Sequence, residues 1–313
     1  MKKILITGGT GFIGHYLVKE FISDYEIICL VRPGSKNLTR LEEHLNNIKV
    51  IEHDIRYPLD SVKNQLLDID IILHAGGNPS AADSLLDPLM SINDNILGTA
   101  HLLELSRQLK LKRFVYYSSS EVFGPVPIGV DSNEYDAYNS NSPYAATKAA
   151  GEELCIAYSR SFNIPVSIFH INNTFGLKSQ SNRLPVIIIK KILNNEVLDI
   201  HVGNNVIGGR RWFYAGDVAS HTGFVLNNQT QSCEKWNSAG NKFINNLDLA
   251  LMISKIIGKE LKYKLIPIDR PGHDLCFSIN PEKIYNLGWT EPKPFLTRLE
   301  ETVHWYLKNQ HWL

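Results

Sequence analysis

The sequence contains no run of about 18 apolar residues of the kind that crosses a bilayer. The apolar stretch behind Lys2 and Lys3 breaks at Thr7 and Gly8, too soon for the core of a secretory leader. These absences predict a cytoplasmic protein with no membrane partner. Cysteine is sparse: Cys29, Cys155, Cys233 and Cys276 stand far apart and form no CxxC, which argues against structural zinc and disulfides and fits a reducing compartment. An excess of either charge is also missing, since 32 Lys and Arg offset 32 Asp and Glu. No global field draws nucleic acid or an anionic membrane, so an anionic ligand must be held by local groups. The 11 histidines include no HExxH and no His/Cys pair at ligand spacing, and no metal is expected.

Apolar residues are plentiful, at 43% of 313, enough for one domain with a lobe or two interlocked domains. Strand-like runs at Ile4 to Thr7, Glu26 to Val31, Lys49 to His53, Ile69 to His74, Arg113 to Ser118 and Val166 to Ile171 are separated by helical patterns, among them Ile13 to Ser23, Asn95 to Leu109 and Tyr144 to Phe162. Near-continuous apolar strands alternating with helices predict an α/β fold, a doubly wound parallel sheet of Rossmann type, over residues 1–175. After Gly176 the chain turns to loops rich in Asn, Gly and Pro with short helices near Leu184 to Asn194 and Asn246 to Ile257. Residues 176–313 are therefore expected to form a smaller substrate-binding lobe, with a segment near 210–240 returning to the first domain. The polar stretch Gly129 to Pro143 reads as a surface loop. Trp289, Trp305, Tyr306 and Trp312 recur at roughly helical intervals and read as core packing.

Three glycines, Gly8, Gly11 and Gly14, lie between the first strand and the first helix in TGGTGFIG. Such a turn brings backbone N–H groups and a helix N-terminus against a pyrophosphate, where side chains would collide. The second strand ends in Val31 and Arg32 rather than in an acidic residue, and a cation there suits a 2′-phosphate. NADP is thus favoured, with NAD as the alternative. Asp54, behind the third strand, reads either as an acceptor for the adenine amino group or as a turn residue. Tyr144 and Lys148 in YAATK are four apart and share a helical face, so the ammonium is expected to lower the phenol's pKa toward neutrality and make it a base. The serine cluster Ser118, Ser119, Ser120 ends the preceding strand and can complete a proton relay.

With these motifs in order, the chain resembles the extended short-chain dehydrogenase/reductases, in particular the nucleotide-sugar 4,6-dehydratase and 4-epimerase branch. The likeness rests on TGGTGFIG, NILGT from Asn95, SSSEVFG from Ser118, YAATK, NNTFG from Asn172, RRWFYAGDVA from Arg210, DRPGHD from Asp269, and the tail LGW and TVHWYLKNQHW. It implies Ser119, Tyr144 and Lys148 as a catalytic triad, Glu121 as the base for a C5 proton, and Gly8, Gly11, Phe12, Ile13, Gly14, Arg32, Asp54, Ile55, Ala75, Gly76 and Asn95 as cofactor contacts alongside Tyr144 and Lys148. It further implies Ser120, Asn173, Arg210 and Arg270 as ligands of a nucleotide-diphosphate sugar, and a homodimer formed through the helices at 95–109 and 144–162.

Departures from the family pattern accompany the likeness. The dTDP-glucose dehydratases read Thr-Asp-Glu where this chain has Ser119, Ser120 and Glu121, so the acid for the leaving hydroxyl is absent; GDP-mannose dehydratases and UDP-glucuronate decarboxylases read Thr-Ser-Glu. The usual HxAA after the fourth strand is altered to HAGG, His74 to Gly77, and His170 stands where many relatives have Arg. The resemblance implies an enzyme, first a 4,6-dehydratase. A 4-epimerase, a UDP-uronate decarboxylase, a 4-keto reductase and a cofactor-binding scaffold protein are the alternatives.

Overall fold

The computed structural model describes residues 1–203, 206–268 and 275–313. Its centre is a seven-stranded sheet whose neighbours all run parallel. Six strands come from the first half: β1 (Lys2–Thr7), β2 (Tyr25–Val31), β3 (Lys49–Glu52), β4 (Ile71–His74), β5 (Arg113–Ser119) and β6 (Val166–Ile171). The seventh, Cys233–Ser238, lies outside β6. Period-two alternation explains the burial. Ile4, Ile6, Cys29, Val115 and Phe169 enter the core on one face, while Leu5, Ile28, Phe114 and Ile168 enter the core on the other. The first of these cores also takes Ile188 and Ile189, Val218, Leu249 and Tyr306 from the C-terminal part of the chain, so the smaller lobe is built onto the sheet face.

β2 and β3 extend to one side of β1, and β4, β5 and β6 to the other. The winding direction therefore reverses between β1 and β4, and in such sheets the crevice at the carboxyl ends of those strands is where ligands bind. The helices of this half are α1 (Gly14–Phe21), α2 (Ala81–Leu86), α3 (Pro88–Ile92), α4 (Gly98–Leu109) and α5 (Pro143–Phe162), of which α1, α3 and α5 contribute residues to the crevice wall. Asn93–Leu97 forms a π-helical turn between α3 and α4, so the predicted continuous helix from Asn95 instead begins its α-helical course at Gly98.

α5 is fixed at both ends. Ser142 Oγ accepts from Ala145 N at 3.1 Å, Pro143 occupies the first turn, and Asn163 closes the helix with φ 55°. Its middle lies close on β5 because position 151 is glycine; a Cβ there would stand 2.2 Å from the Tyr116 hydroxyl oxygen.

Two sequence expectations change here. Gly129 to Pro143 is not merely a surface loop but a strap between the two halves. Arg211 makes a two-pronged bond to Asp131 (2.9 and 2.6 Å), Ser278 donates to the same carboxylate, and Ser132 bridges to the C-terminal segment, its N donating to Ser278 O at 3.0 Å and its O accepting from Asn280 N at 2.8 Å. Of the four C-terminal aromatics, Trp289 and Tyr306 are buried, whereas Trp305 and Trp312 are half-buried and pack on the core rim. Among the described residues no helix is long and apolar enough to cross a membrane.

If the α5 to β5 approach sets the fold, Gly151→Ala lowers unfolding stability by about 1–3 kcal/mol, measured by urea denaturation; an unchanged midpoint would mean that the helix can slide off Tyr116 without cost.

Candidate active site

A cleft of about 600 Å³ follows the reversal point from the tip of β2 to the start of α5. At one end is the glycine turn. Gly8 has φ 70°, Gly11 N donates to Gly8 O at 2.8 Å, and a Cβ on Gly14 would lie 1.9 Å from Gly8 O. Only glycine permits this compact turn, which aims the start of α1 into the cleft. Gly8, Gly11, Phe12, Ile13, Gly14, Arg32, Ile55, Ala75 and Gly76 all line it, a narrow, glycine-walled trough with a helix N-terminus at its centre, as a dinucleotide requires.

Two cofactor candidates take other positions. Asp54 is engaged by Arg56, whose Nε and Nη2 reach its carboxylate at 3.0 and 2.6 Å, with Arg32 Nε at 3.6 Å; these guanidinium contacts, first the hydrogen bond from Arg56, hold its pKa down. Its neighbours His53 and Ile55 line the cleft instead. Asn95 is buried behind the wall, where its side chain accepts from Asn78 N at 2.8 Å and donates to Asn78 O and Thr147 Oγ1. It fixes the loop after β4 that carries Ala75 and Gly76.

Beneath that loop runs a row of hydrogen bonds. Thr99 Oγ1 donates to Asn95 O at 2.6 Å, so it accepts from His74 Nε2 at 2.9 Å; His74 Nδ1 then accepts from Thr7 Oγ1 at 2.7 Å, which accepts from Gly76 N at 3.1 Å. Burial, aided by the charge of Lys148, pushes the His74 pKa down to about 3, keeping the ring neutral.

At the other end stand Ser119, Ser120, Glu121, Tyr144 and Lys148, all lining the cleft. Tyr144 is buried with its phenol bonded to Ser119. Ser119 Oγ also accepts from Glu121 N at 3.2 Å, which turns the chain at the end of β5. The protonation differs from the sequence expectation. Burial, reinforced by the Glu121 carboxylate, pushes the Tyr144 pKa up to about 12, against the pull of Ser119 and Arg183. Lys148 Nζ donates to Tyr117 O at 2.7 Å, and burial lowers its pKa to about 8. Tyr144 is thus a phenol in its resting protonation, and Glu121 is close enough to act on its charge.

Of the predicted sugar-phosphate ligands, Asn173 lines the cleft and accepts from Arg210 Nε at 2.9 Å, while Arg210 Nη1 donates to the carbonyls of Gly209 and Leu275. Arg270 lies outside the described residues. His170 is in the buried sheet, away from the cleft, bonded to Glu152 at 3.0 Å and Asn237 at 2.9 Å. Gln180 and Arg183 also line the cleft, with Arg183 Nε bonded to Gln180 Oε1 at 3.1 Å. They were missed in the sequence because they belong to no motif; Pro185, which marks the start of the helix Leu184–Leu193, was the available signal.

Comparison with known proteins agrees with this geometry. The chain is 28% identical to a dTDP-glucose 4,6-dehydratase of Escherichia coli over 99% of its length and 94% of that protein. Its structure superposes on that of a dTDP-glucose 4,6-dehydratase from Streptomyces venezuelae, solved with NAD bound, with TM-score 0.89, 26% identity and coverage of 99% and 98% of the two chains. It also matches a UDP-glucuronic acid 4-epimerase from Bacillus cereus, solved with UDP-glucuronic acid and NAD, at TM-score 0.88, 26% identity and coverage of 98% and 99%. The model of the NAD dependent epimerase/dehydratase family matches residues 4–239, and with a parallel sheet, a glycine turn and a Ser119, Tyr144, Lys148 cleft already in place, the chain belongs to that family.

Proposed function

We propose that the protein is a nucleotide-sugar 4,6-dehydratase. The observation that carries this reading is the position of Glu121 in the same cleft wall as Ser119 and Tyr144, close enough for its charge to act on the phenol. Epimerisation at C4 requires the triad alone, whereas dehydration also needs a base for the C5 proton. A bound nicotinamide dinucleotide supplies the acceptor for the C4 hydride and the donor that returns it. Tyr144 acts in its ionised form, which the positive charge of a bound oxidised nicotinamide would favour, and with Ser119 bonded to its oxygen it takes the proton of the sugar 4-hydroxyl. Glu121 removes the C5 proton, which the neighbouring 4-keto group has made acidic, and passes it to the C6 hydroxyl, which leaves as water; once the hydride has returned to C6, a solvent proton completes C5. Asn173 and Arg210 hold the diphosphate, and Arg183 adds a cation beside Tyr144.

A second reading, 4-epimerisation, needs only Ser119, Tyr144 and Lys148, and the superposition on a UDP-glucuronic acid 4-epimerase favours it. Incubation with dTDP-, UDP-, GDP- and CDP-hexoses followed by NMR separates the readings. A 4-keto-6-deoxy product without added reductant supports dehydration, a new C4 epimer supports the second reading, and turnover that consumes stoichiometric NADPH identifies a 4-keto reductase.

For the cofactor, Arg32 supports NADP. It is half-exposed at the rim of the cleft, no carboxylate ends β2, and its bond to Asp94 at 2.9 Å is one that a 2′-phosphate can replace. NAD, bound in the solved relatives, is the alternative. The four cysteines are free thiols, which suits a cytoplasmic setting. A homodimer is supported by apolar side chains beside α5: Leu86 is 87% exposed, Leu89 69% and Leu97 43%.

Three outcomes are expected. Glu121→Gln reduces dehydration by about 10²-fold or more and abolishes deuterium wash-in at C5 while oxidation at C4 persists; loss of the carboxylate also lowers the Tyr144 pKa, so the acid limb of C4 oxidation moves to lower pH. Arg32→Ser raises the Kd for NADP by about 10-fold or more with little change for NAD, read by fluorescence titration. Leu89→Glu converts a dimer into a monomer in light scattering.

A further inference from the structure

Below the catalytic residues lies a buried charged cluster that the proposed reaction does not use. Glu152 sits one turn beyond Lys148 on α5 and is fully buried. Four elements converge on its carboxylate. Ser118 Oγ at the end of β5 donates to Oε1; Tyr138 of the strap (2.7 Å), His170 of β6 (3.0 Å) and Lys235 of the strand Cys233–Ser238 (3.2 Å) reach Oε2. Lys235 also donates to the Tyr138 hydroxyl at 2.6 Å, leaving the Tyr138 proton for Glu152.

The proton pattern at His170 follows from its other neighbour. Asn237 Nδ2 donates to Ser132 O at 3.1 Å and Asn280 O at 2.9 Å, which spends both amide hydrogens and turns Oδ1 to His170 Nδ1 at 2.9 Å. Both ring nitrogens therefore face acceptors, Asn237 Oδ1 and Glu152 Oε2, and the ring donates from both. Glu152 is an anion between two cations, and these contacts outweigh its burial to bring its pKa down to about 2.

We propose that Glu152 is a positioning residue for the Tyr144 and Lys148 pair: through Ser118 it holds the strand end that carries Ser119, and through its charge it keeps Lys148 an ammonium, with His170 and Lys235 as its counter-ions. The i to i+4 spacing on one helical face brings the carboxylate within range of the lysine's charge. The other groups that face Lys148 carry no charge. Tyr117 offers a carbonyl at 2.7 Å, the Tyr116 ring lies at 4.9 Å, and Cys155 and His74 face it as a protonated thiol and a neutral ring. Glu152 is the charge that opposes the loss of the Lys148 proton on burial. Its importance to turnover rests on the reaction proposed above, but its action on Lys148 does not.

The test follows the titration of Lys148 by NMR in protein with isotope-labelled lysine side chains, the resonance assigned with Lys148→Met, and no sugar or dinucleotide is needed. Glu152→Gln is expected to move the Lys148 titration down by about one pH unit or more. His170→Gln removes a counter-ion and leaves Glu152 more negative towards Lys148, so it is expected to move the titration up. Where turnover is measurable, the alkaline limb of kcat shifts in the same two directions while KM changes little. Unmoved titrations, or shifts of the same sign in both variants, overturn the proposal; should Glu152→Gln fail to fold, the upward shift in His170→Gln alone decides it. A wild-type shift pattern with no activity on any sugar nucleotide would instead count against the reaction and leave the role of Glu152 standing.

Discussion

The site depends on the contact between α5 and β5. Gly151 lets the helix lie against Tyr116, and that approach sets Tyr144 over Ser119 and Lys148 over the Tyr117 carbonyl. Ser119, Tyr144 and Lys148 come from two elements separated by a 23-residue excursion between Ser119 and Pro143, as their bounds show, so no local turn brings them together. What does so is backbone proximity, seconded by Glu152, which ties β5, β6, the strap and the strand Cys233–Ser238 to the same helix. A small residue and a buried anion thus perform complementary tasks, one allowing approach and the other setting its alignment.

Much of this was legible from sequence where the signal is local. Strand runs such as ILIT and VSIFHI are apolar on both faces, and Val166–Ile171 and Asn246–Ile257 were read with their observed bounds. The glycine turn and the YAATK helix start carry their geometry in consecutive residues. The strand Cys233–Ser238 was missed as such because CEKWNS looks like surface; its Glu234 and Lys235 are buried through ion pairs with Lys283 and Glu152, partners that sequence spacing does not connect. The strap was read as a loop for the same reason, since Arg211, Ser278 and Asn237 lie far along the chain.

Electrostatics was the least legible layer. The arginine two positions from Asp54 competes for it, and only the fold shows that Arg32 and Arg56 share Asp54 and Asp94. The lysine four residues from Tyr144 was expected to dominate the phenol. Burial and Glu121 act more strongly, because removal from water penalises an anion whatever its helical neighbour. Asn95 and His170 are polar residues that serve packing and charge balance rather than contact with a ligand.

The row from Gly76 through Thr7, His74 and Thr99 to Asn95 has one further consequence. Every hydrogen in it points the same way, towards the Asn95 carbonyl, and the imidazole in the middle is neutral. Its two ends are a peptide N–H, on Gly76, and a peptide carbonyl, on Asn95, groups that neither release nor take up a proton near neutral pH. The floor under the cleft is thus an insulator, and charge released beside the nicotinamide trough does not drain into the sheet.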